Sequence, residues 1–288
     1  MSNATSGPAV ARIGMINYIN TAPLYEVWRR RAHPTNWRVV EAVPSELNRM
    51  LREGEIDLGF VSSHEYAVRP ELYTILPDIG IGASGSVGSV FLFARRELDS
   101  LDGAPLLLTS QSQTSVSLVK IILEEFYQVR PSNETGSIQG RLEELERFAG
   151  ILAIGDEALL LAQRKEFSQI VDLGKVWHDQ TDLPFVFAVW AVRRDFAESH
   201  PAELSTIHRE LSHCLREGLA DLAAISAAVA PRIPMLQEAC LKYLRGIEYD
   251  LGPAKREGLS LFYDYLIKRG EGGKNTLPLK FWTGSDNG

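Results

Sequence analysis

Small polar residues cluster where predicted strands end and helices begin, with one further cluster in a turn that leads into a strand. These segments are 17–23 (NYINTAP), 60–66 (FVSSHEY), 82–89 (GASGSVGS), 108–117 (LTSQSQTSVS) and 153–159 (AIGDEAL). In an α/β protein such segments share one edge of a sheet, where helix N-termini present free N–H groups and a partial positive charge. With the Ser, Thr and Asn donors, they predict a cleft that binds carboxylates or phosphates using few Lys or Arg.

Each segment taken alone has a simpler interpretation, because Ser, Thr, Asn and Asp are also the favoured residues at helix N-termini. Asp156, which precedes EALLLA, is the clearest example. The combined set favours a binding site, since the segments would converge on one cleft. The predicted ligand-binding residues are Tyr18, Thr21, Ser62, Ser63, Ser110, Ser112, Thr114, Ser115, Gly155 and Asp156.

Common catalytic and nucleotide-binding motifs are missing from the sequence. It contains no GxSxG, HExxH or GxxxxGK[ST], and the glycine rhythm of GIGASG is interpreted as a turn because no helix follows it. His64 is a candidate general base or a packed residue, and His178 is a weaker candidate of the same kind. Cys214 and Cys240 lack metal-ligand spacing, so no metal site is predicted.

Alternating strand and helix patterns must position these segments. The segment 44–54 predicts a helix, with Pro44 in its first turn, Leu47 and Leu51 on one face and Gly54 at its end. The alternation indicates an α/β fold with a mostly parallel sheet, followed by a helical C-terminal part. Strands are predicted at Ala11–Ile16, Arg38–Val43, Ile56–Ser62, Val90–Ala94, Ile151–Gly155 and Leu183–Arg194.

Two long apolar strands, Ser89–Arg96 and Phe185–Arg194, bracket the middle of the chain. If both are crossovers, residues 10–94 and 191–288 form one discontinuous lobe, and residues 95–190 form an inserted second lobe. The ligand cleft would then lie between the lobes. The alternative is a pair of tandem domains that share no cleft.

Composition narrows the class of partner. The chain has 288 residues, 45% hydrophobic and 23% charged, with a net charge of −7 and a pI near 5.5. This acidic balance argues against nucleic acid and anionic membranes as partners. The N-terminus, Met1–Pro8, has no basic or apolar signal-peptide region and is interpreted as a leader. Together with the cysteine usage, it predicts a cytoplasmic protein.

Six motifs in order resemble the menaquinone-biosynthesis family that contains chorismate dehydratase and 1,4-dihydroxy-6-naphthoate synthase. The resemblance is closest to the dehydratase branch, because INYINTAPL stands where the sister branch has a stretch like SPCPNDT. It runs from Arg12 to Arg194 and continues more loosely beyond. The motifs are INYINTAPLY, VPSELNRMLREGEIDLGFVSSHEYA, GSVGSVFLF, SQTSVSLVKIILEEFY, IGDEAL and LPFVFAVWAVRR.

The resemblance implies a two-lobed fold like that of type II periplasmic binding proteins, used as a lyase without cofactor or metal. The implied reaction is a hydro-lyase step that converts chorismate to 3-[(1-carboxyvinyl)oxy]benzoate and water, the first step of the futalosine route. It also implies that Asn20 is important for turnover and that Ser89 lies beside the substrate. The proton acceptor stays open between a substrate carboxylate and His64.

Two other functions remain open from the sequence. One is the sister naphthoate synthase activity or a related lyase, and the other is non-catalytic binding of a small carboxylate. Product analysis discriminates between them. The oligomeric state is not predicted.

Overall fold

The computed structural model describes residues 11–164, 166–233 and 235–284. The predicted leader, together with residues 10 and 285–288 of the first predicted lobe, lies outside the described residues. In chain order the strands are β1 (Ala11–Met15), β2 (Trp37–Glu41), β3 (Leu58–Ser62), β4 (Tyr73–Ala83), β5 (Val90–Ala94), β6 (Pro105–Thr109), β7 (Ser132–Gly136), β8 (Gly150–Ile154), β9 (Gln169–Asp172) and β10 (Phe185–Arg193).

Helices follow most of these strands. The α-helices are α1 (Ala22–Trp28), α2 (Pro44–Glu53), α3 (Ser63–Val68), α4 (Gln113–Ile121), α5 (Gly155–Leu161), α6 (Leu173–Thr181), α7 (Arg194–Ser199), α8 (Pro201–Ala220), α9 (Leu222–Val229), α10 (Gln237–Gly246) and α11 (Pro253–Lys268). Helical turns of other types span Ile19–Thr21, Leu98–Ser100, Ile122–Phe126, Gln139–Arg147 and Ala230–Arg232.

The strands form two five-stranded sheets built on the same plan. The first has the order β2-β1-β3-β10-β4 and the second the order β7-β6-β8-β5-β9. In each sheet the first three strands are parallel, and the fourth runs antiparallel to both of its neighbours. Four of the five strands in each sheet therefore run the same way, in agreement with the predicted mostly parallel sheet. The exceptions are β10 and β5, which enter their sheets from the other lobe and run against the local strands.

The pairing of β5 and β10 also decides which lobe each strand joins. β5 lies in the second sheet, although the predicted boundary at 94/95 put it in the first lobe. β10 lies in the first sheet, although the predicted boundary at 190/191 cuts through it. Since a strand belongs to the sheet that pairs with it, we propose lobe boundaries within 84–89 and 182–184.

β4 was not predicted, because its second half overlaps the glycine-rich stretch interpreted as a turn. Ile75, Ile79 and Ile81 are nevertheless buried along it, and its length pairs with β10. The backbone N–H groups of Gly80 and Gly82 also donate to the carbonyls of Tyr249 and Glu248. Pairing with distant segments, rather than local propensity, holds this strand extended.

Local sequence explains the predicted helix α2. Pro44 begins it, Leu47 and Leu51 are fully buried on its inner face, and Gly54 ends it in the left-handed conformation with φ of 75°. The C-terminal helices pack mainly on the first lobe, where α8 lies against α1 and α11 against β10. Among the described residues, every helix is too short or too polar to cross a membrane.

Candidate active site

A cavity lies between the two lobes, and its empty space amounts to about 570 Å³ when the open solvent at its mouth is included. None of the described residues that line it is Asp, Glu, His, Lys or Arg. The polar lining, with one glycine, consists of Tyr18, Asn20, Thr21, Ser62, Ser89, Ser112, Ser115 and Gly155. The apolar lining consists of Ile16, Pro44, Ile81, Val87, Val90, Ile154, Phe187 and Ala188.

All of the polar lining was among the predicted site residues. Four other predicted residues, Ser63, Ser110, Thr114 and Asp156, are absent from the lining. Ser63 donates its hydroxyl proton to the carbonyl of Val186 at 2.8 Å, and Ser110 is exposed. Ser63 follows the lining residue Ser62, and Ser110 precedes Gln111, which bonds to the lining residue Tyr18. The Ser63 hydroxyl is used within the first lobe, and Ser110 faces solvent.

Thr114 and Asp156 connect the lobes instead of lining the cavity. The Thr114 hydroxyl accepts a hydrogen bond from the backbone N–H of His64 at 2.9 Å. Asp156 Oδ1 lies 3.4 Å from the backbone N of Ile19, which donates to it. Burial raises the pKa of Asp156, although the Ile19 N–H and the charge of Arg232 act in the opposite direction.

Asn20 presents the most informative atom of the cavity. Its Oδ1 is buried and has no hydrogen-bond partner among the described residues. Its backbone carbonyl accepts a hydrogen bond from the hydroxyl of Tyr249 at 2.9 Å. This hydrogen bond helps to fix the Ile19–Thr21 turn. A buried acceptor without a partner is costly, so this amide oxygen is positioned to accept a hydrogen bond from a ligand.

Thr21 lines the cavity, but its hydroxyl is already used. Thr21 Oγ1 donates to the carbonyl of Ile16 at 2.6 Å and lies 2.9 Å from the carbonyl of Tyr18. With its single proton directed to the backbone, Thr21 shapes the turn that carries Asn20 and contributes no free donor.

Ser62 ends β3 with its hydroxyl fixed by Asn48 of α2. Asn48 Nδ2 donates to Ser62 Oγ at 2.8 Å, and the Ser62 backbone N–H donates to Asn48 Oδ1 at 3.1 Å. Both residues are buried. Because Ser62 Oγ already accepts one hydrogen bond, its own proton is available to a ligand in the cavity.

Ser112 and Ser115 belong to the N-terminus of α4. Ser112 caps this helix, with its Oγ accepting from the backbone N–H of Ser115 at 3.2 Å, and the two hydroxyl oxygens are 3.1 Å apart. The remaining hydroxyl proton and the positive end of the helix point to a site for negative charge.

Tyr18 spans the two lobes at the cavity. Its hydroxyl donates to Gln111 Oε1 at 2.8 Å. Gly155 has φ of 57°, and a Cβ there would lie 3.2 Å from the Tyr18 ring, so glycine suits both the backbone and the close approach. Burial, followed by the charge of Asp156, raises the pKa of Tyr18 to about 12. The phenol is therefore a neutral hydrogen-bonding group near pH 7.

The two histidines considered as general bases lie elsewhere. His64 Nε2 is 3.8 Å from Glu271 Oε2, and His64 is absent from the lining of the cavity. His178 Nδ1 lies 3.4 Å from the carbonyl of Leu183. The described residues also contain no group of three or more His, Cys, Asp or Glu able to hold a metal ion.

Sequence reasoning missed apolar residues of the cavity lining and the residues that hydrogen-bond to the lining serines. Ile81 comes from the unpredicted β4, and Phe187 comes from the middle of β10. Asn48 and Tyr243 reach the lining serines from α2 and α10. Asn48 and Phe187 lie within the quoted family motifs, but no local pattern marks any of these four residues as part of the site, because the tertiary fold alone brings them to the cavity.

The family model for menaquinone biosynthesis matches residues 11–268. The chain belongs to this family. Over 269 residues it is 36% identical to a chorismate dehydratase of Thermus thermophilus, covering 88% of this chain and 94% of that protein. It is 28% identical to a 1,4-dihydroxy-6-naphthoate synthase of the same organism over 56% of this chain and 60% of that protein.

Solved structures show the same fold at low sequence identity. A protein from Archaeoglobus fulgidus has a TM-score of 0.71 at 18% identity, covering 90% of this chain and 97% of that one. The periplasmic aliphatic sulphonate binding protein of Escherichia coli has a TM-score of 0.68 at 13% identity, covering 97% and 94%. The chain therefore has the predicted periplasmic-binding-protein fold, with mixed α/β lobes.

Proposed function

We propose that this protein is a chorismate dehydratase, a hydro-lyase that converts chorismate to 3-[(1-carboxyvinyl)oxy]benzoate and water. The observation that carries the proposal is a cleft whose described lining residues carry no charge and supply hydroxyls and an amide, in a chain that is 36% identical to a chorismate dehydratase over 88% of its length. The reaction requires no cofactor or metal in this proposal.

Chorismate carries two carboxylates, and the cleft offers donors on both sides. Ser62 supplies a free hydroxyl proton from the first lobe. Ser89 and the Ser112–Ser115 pair supply donors from the second lobe, beside the N-terminus of α4. Hydrogen bonds to ionised carboxylates are strong in such a partly dry site, and the described lining residues include no carboxylate that would repel the dianion.

The reaction breaks the C4–O bond of the substrate ring and removes the hydrogen at C3. The two electrons of the C3–H bond become part of the aromatic ring, and the hydroxyl leaves with a proton as water. We assign Asn20 to the leaving hydroxyl, because its buried Oδ1 has no partner among the described residues and its amide can also donate. In this assignment Asn20 orients the leaving group.

We assign the role of base to a carboxylate of the substrate. The titratable side chain among the described lining residues is Tyr18, whose pKa is raised to about 12. It stays protonated near neutral pH, so it is a poor base there. Aromatisation supplies much of the driving force. The protein contributes orientation and exclusion of water, which can be worth several orders of magnitude in rate.

The first experiment is incubation of the purified protein with chorismate, followed by chromatography and mass spectrometry. An aromatic product lighter than chorismate by one water is expected. Asn20→Ala should abolish its formation. Asn17→Ala should not, because Asn17 is exposed and bonds outside the cavity to Glu41 and Arg232.

Intact chorismate after long incubation with folded protein would overturn the proposed activity. The naphthoate synthase of the same family is the second candidate, favoured by the 28% identity. Its test is turnover of the sister enzyme's substrate under the same conditions. Tight binding of chorismate without turnover would instead indicate a carboxylate-binding protein.

A further inference from the structure

Tyr243 of α10 reaches the second lobe and contacts a residue of the cavity. Its hydroxyl donates to Ser89 Oγ at 2.8 Å. A phenol is a stronger acid than an alcohol, so Tyr243 is the natural donor of the pair. Burial raises the pKa of Tyr243, which keeps this phenol protonated at neutral pH.

The backbone around Ser89 is fixed on both sides. The Ser89 carbonyl accepts from the Gly155 N–H at 2.8 Å. Just before it, the Val87 and Gly88 N–H groups donate to the carboxylate of Asp172 at 3.1 and 2.7 Å. Ser89 itself is 1% exposed and lines the cavity. With this backbone fixed and Ser89 Oγ held by Tyr243, the freedom left to the side chain is rotation of its hydroxyl proton.

The Tyr243 ring is built against this loop. Gly88 has φ of 75°, a conformation that favours glycine, and a Cβ there would lie 3.3 Å from Tyr243 Cδ2. The Tyr243 ring therefore packs closely on the backbone that precedes Ser89. This packing limits the movement of the Tyr243 hydroxyl.

We propose that Tyr243 is a positioning residue that orients the Ser89 hydroxyl proton into the cavity. Ser89 Oγ accepts from Tyr243, so its own proton has to point away from that donor. The direction left is toward the ligand. Ser89 thereby becomes a pre-oriented donor, and such preorganisation is more effective in catalysis than a freely rotating hydroxyl. The kinetic consequence rests on the proposed dehydration of chorismate.

The kinetic test compares Tyr243→Phe, Ser89→Ala and the double variant in the chorismate assay. Tyr243→Phe should lower kcat about tenfold with KM changed less than threefold, because a free hydroxyl must be reoriented in the transition state. The double variant should match Ser89→Ala, since Tyr243 acts through Ser89. Additive losses, or a rise in kcat for Tyr243→Phe, would overturn the proposal.

Tyr73→Phe is the matched control. It also removes a buried phenol hydrogen bond, which Tyr73 donates to Glu65 at 3.0 Å inside the first lobe. It should lower Tm while kcat stays within twofold. An equal loss of kcat in Tyr73→Phe would assign the effect of Tyr243→Phe to general loosening of the fold, against the proposal.

A second measurement does not depend on turnover. Tyrosines labelled with ¹³C at Cζ give a resonance for Tyr243, assigned by its loss in Tyr243→Phe. Ser89→Ala should shift that resonance and leave the resonance of Tyr73 in place. An unshifted Tyr243 resonance would overturn the hydrogen bond. Failure of the wild-type protein to dehydrate chorismate would affect only the proposed function, because this measurement still tests the pairing.

Discussion

The two lobes meet in two regions of opposite character. One is the cavity, whose described lining residues carry no charged side chain. The other, called here the Glu271 cluster, joins α3, α4, the helical turn Ile122–Phe126 and the segment after α11. In this cluster the Ser117 hydroxyl donates to a carboxylate oxygen of Glu271 at 2.6 Å. Arg269 donates from Nε to Glu271 and from Nη1 to Glu124, each at 2.9 Å. The fifth member is His64, whose Nε2 lies 3.8 Å from Glu271 Oε2.

The contrast explains where this protein places its charges. In the Glu271 cluster the carboxylates face Arg269, so each charge is compensated and the contact holds the lobes together. In the cavity the donors are neutral, and the compensating charge is left to the ligand. A dianionic substrate then meets hydrogen-bond donors without a fixed carboxylate that would repel it.

The largest expected effect comes from placing a charge in the neutral region. Asn20→Asp keeps the size and one acceptor of the side chain, removes its donor and adds a negative charge beside the dianion. We expect kcat/KM for chorismate to fall at least about 100-fold, or about 2.7 kcal/mol. Steady-state kinetics near neutral pH measure the change.

Ser110→Asp is the control for added net charge, because Ser110 is exposed and lies outside the lining of the cavity. Its kcat/KM should stay within threefold of the wild-type value. If Asn20→Asp loses less than tenfold, a neutral side chain at this position is unimportant and the contrast between the two regions fails.

The next effect concerns the charged region. Burial opposes ionisation of Glu271. The nearby His64 and the hydrogen bonds from Ser117 and Arg269 outweigh that cost and lower its pKa from 4.5 to about 2. A lowered carboxyl pKa stabilises the fold above the unfolded value near 4.5, and this stabilisation is lost as pH falls toward 2.

Glu271→Gln should therefore reduce the free energy of unfolding by about 2 kcal/mol at pH 7. The difference between variant and wild type should shrink as the pH falls from 5 to 3. Urea unfolding at pH 7, 5 and 3 measures this difference in the free energy of unfolding. Glu134→Gln is the control. Glu134 also has its pKa lowered to about 2, by Arg147 and then Arg141, but it lies half-exposed on the edge strand β7, where water and salt weaken such pairs.

A similar loss in both variants would show that the Glu271 cluster is no stronger than a surface network. A loss that stays constant from pH 7 to pH 3 would show that packing, rather than charge, stabilises this contact.

The same contrast shows what the sequence can and cannot predict. The neutral donors were predicted because they follow strand ends, where one local pattern marks both the element and the edge of the sheet. Ser62 and Ser112 are examples. The Glu271 cluster was not predicted, because Ser117 and Glu271 lie 154 positions apart and only the tertiary fold brings them together. The pairing of β5 and β10 escaped prediction for the same reason.

A smaller effect tests a donor on the first-lobe side of the cavity. Ser62→Ala removes a hydroxyl whose oxygen accepts from Asn48 at 2.8 Å. We expect kcat/KM to fall about tenfold, or about 1.4 kcal/mol. Stability should fall by about 1 kcal/mol, because Asn48 loses an acceptor. Chorismate kinetics and thermal unfolding separate the two effects. Unchanged kinetics in a destabilised variant would limit Ser62 to a structural role.

The smallest expected effect decides whether the two regions are functionally separate. His64→Gln keeps a polar side chain beside Glu271 and removes the imidazole that the sequence offered as a general base. Since His64 belongs to the Glu271 cluster and is absent from the cavity lining, kcat should stay within threefold. A folded variant slowed 100-fold or more would make His64 the proton acceptor. The charged region would then take part in the chemistry, and the base could no longer be assigned to the substrate.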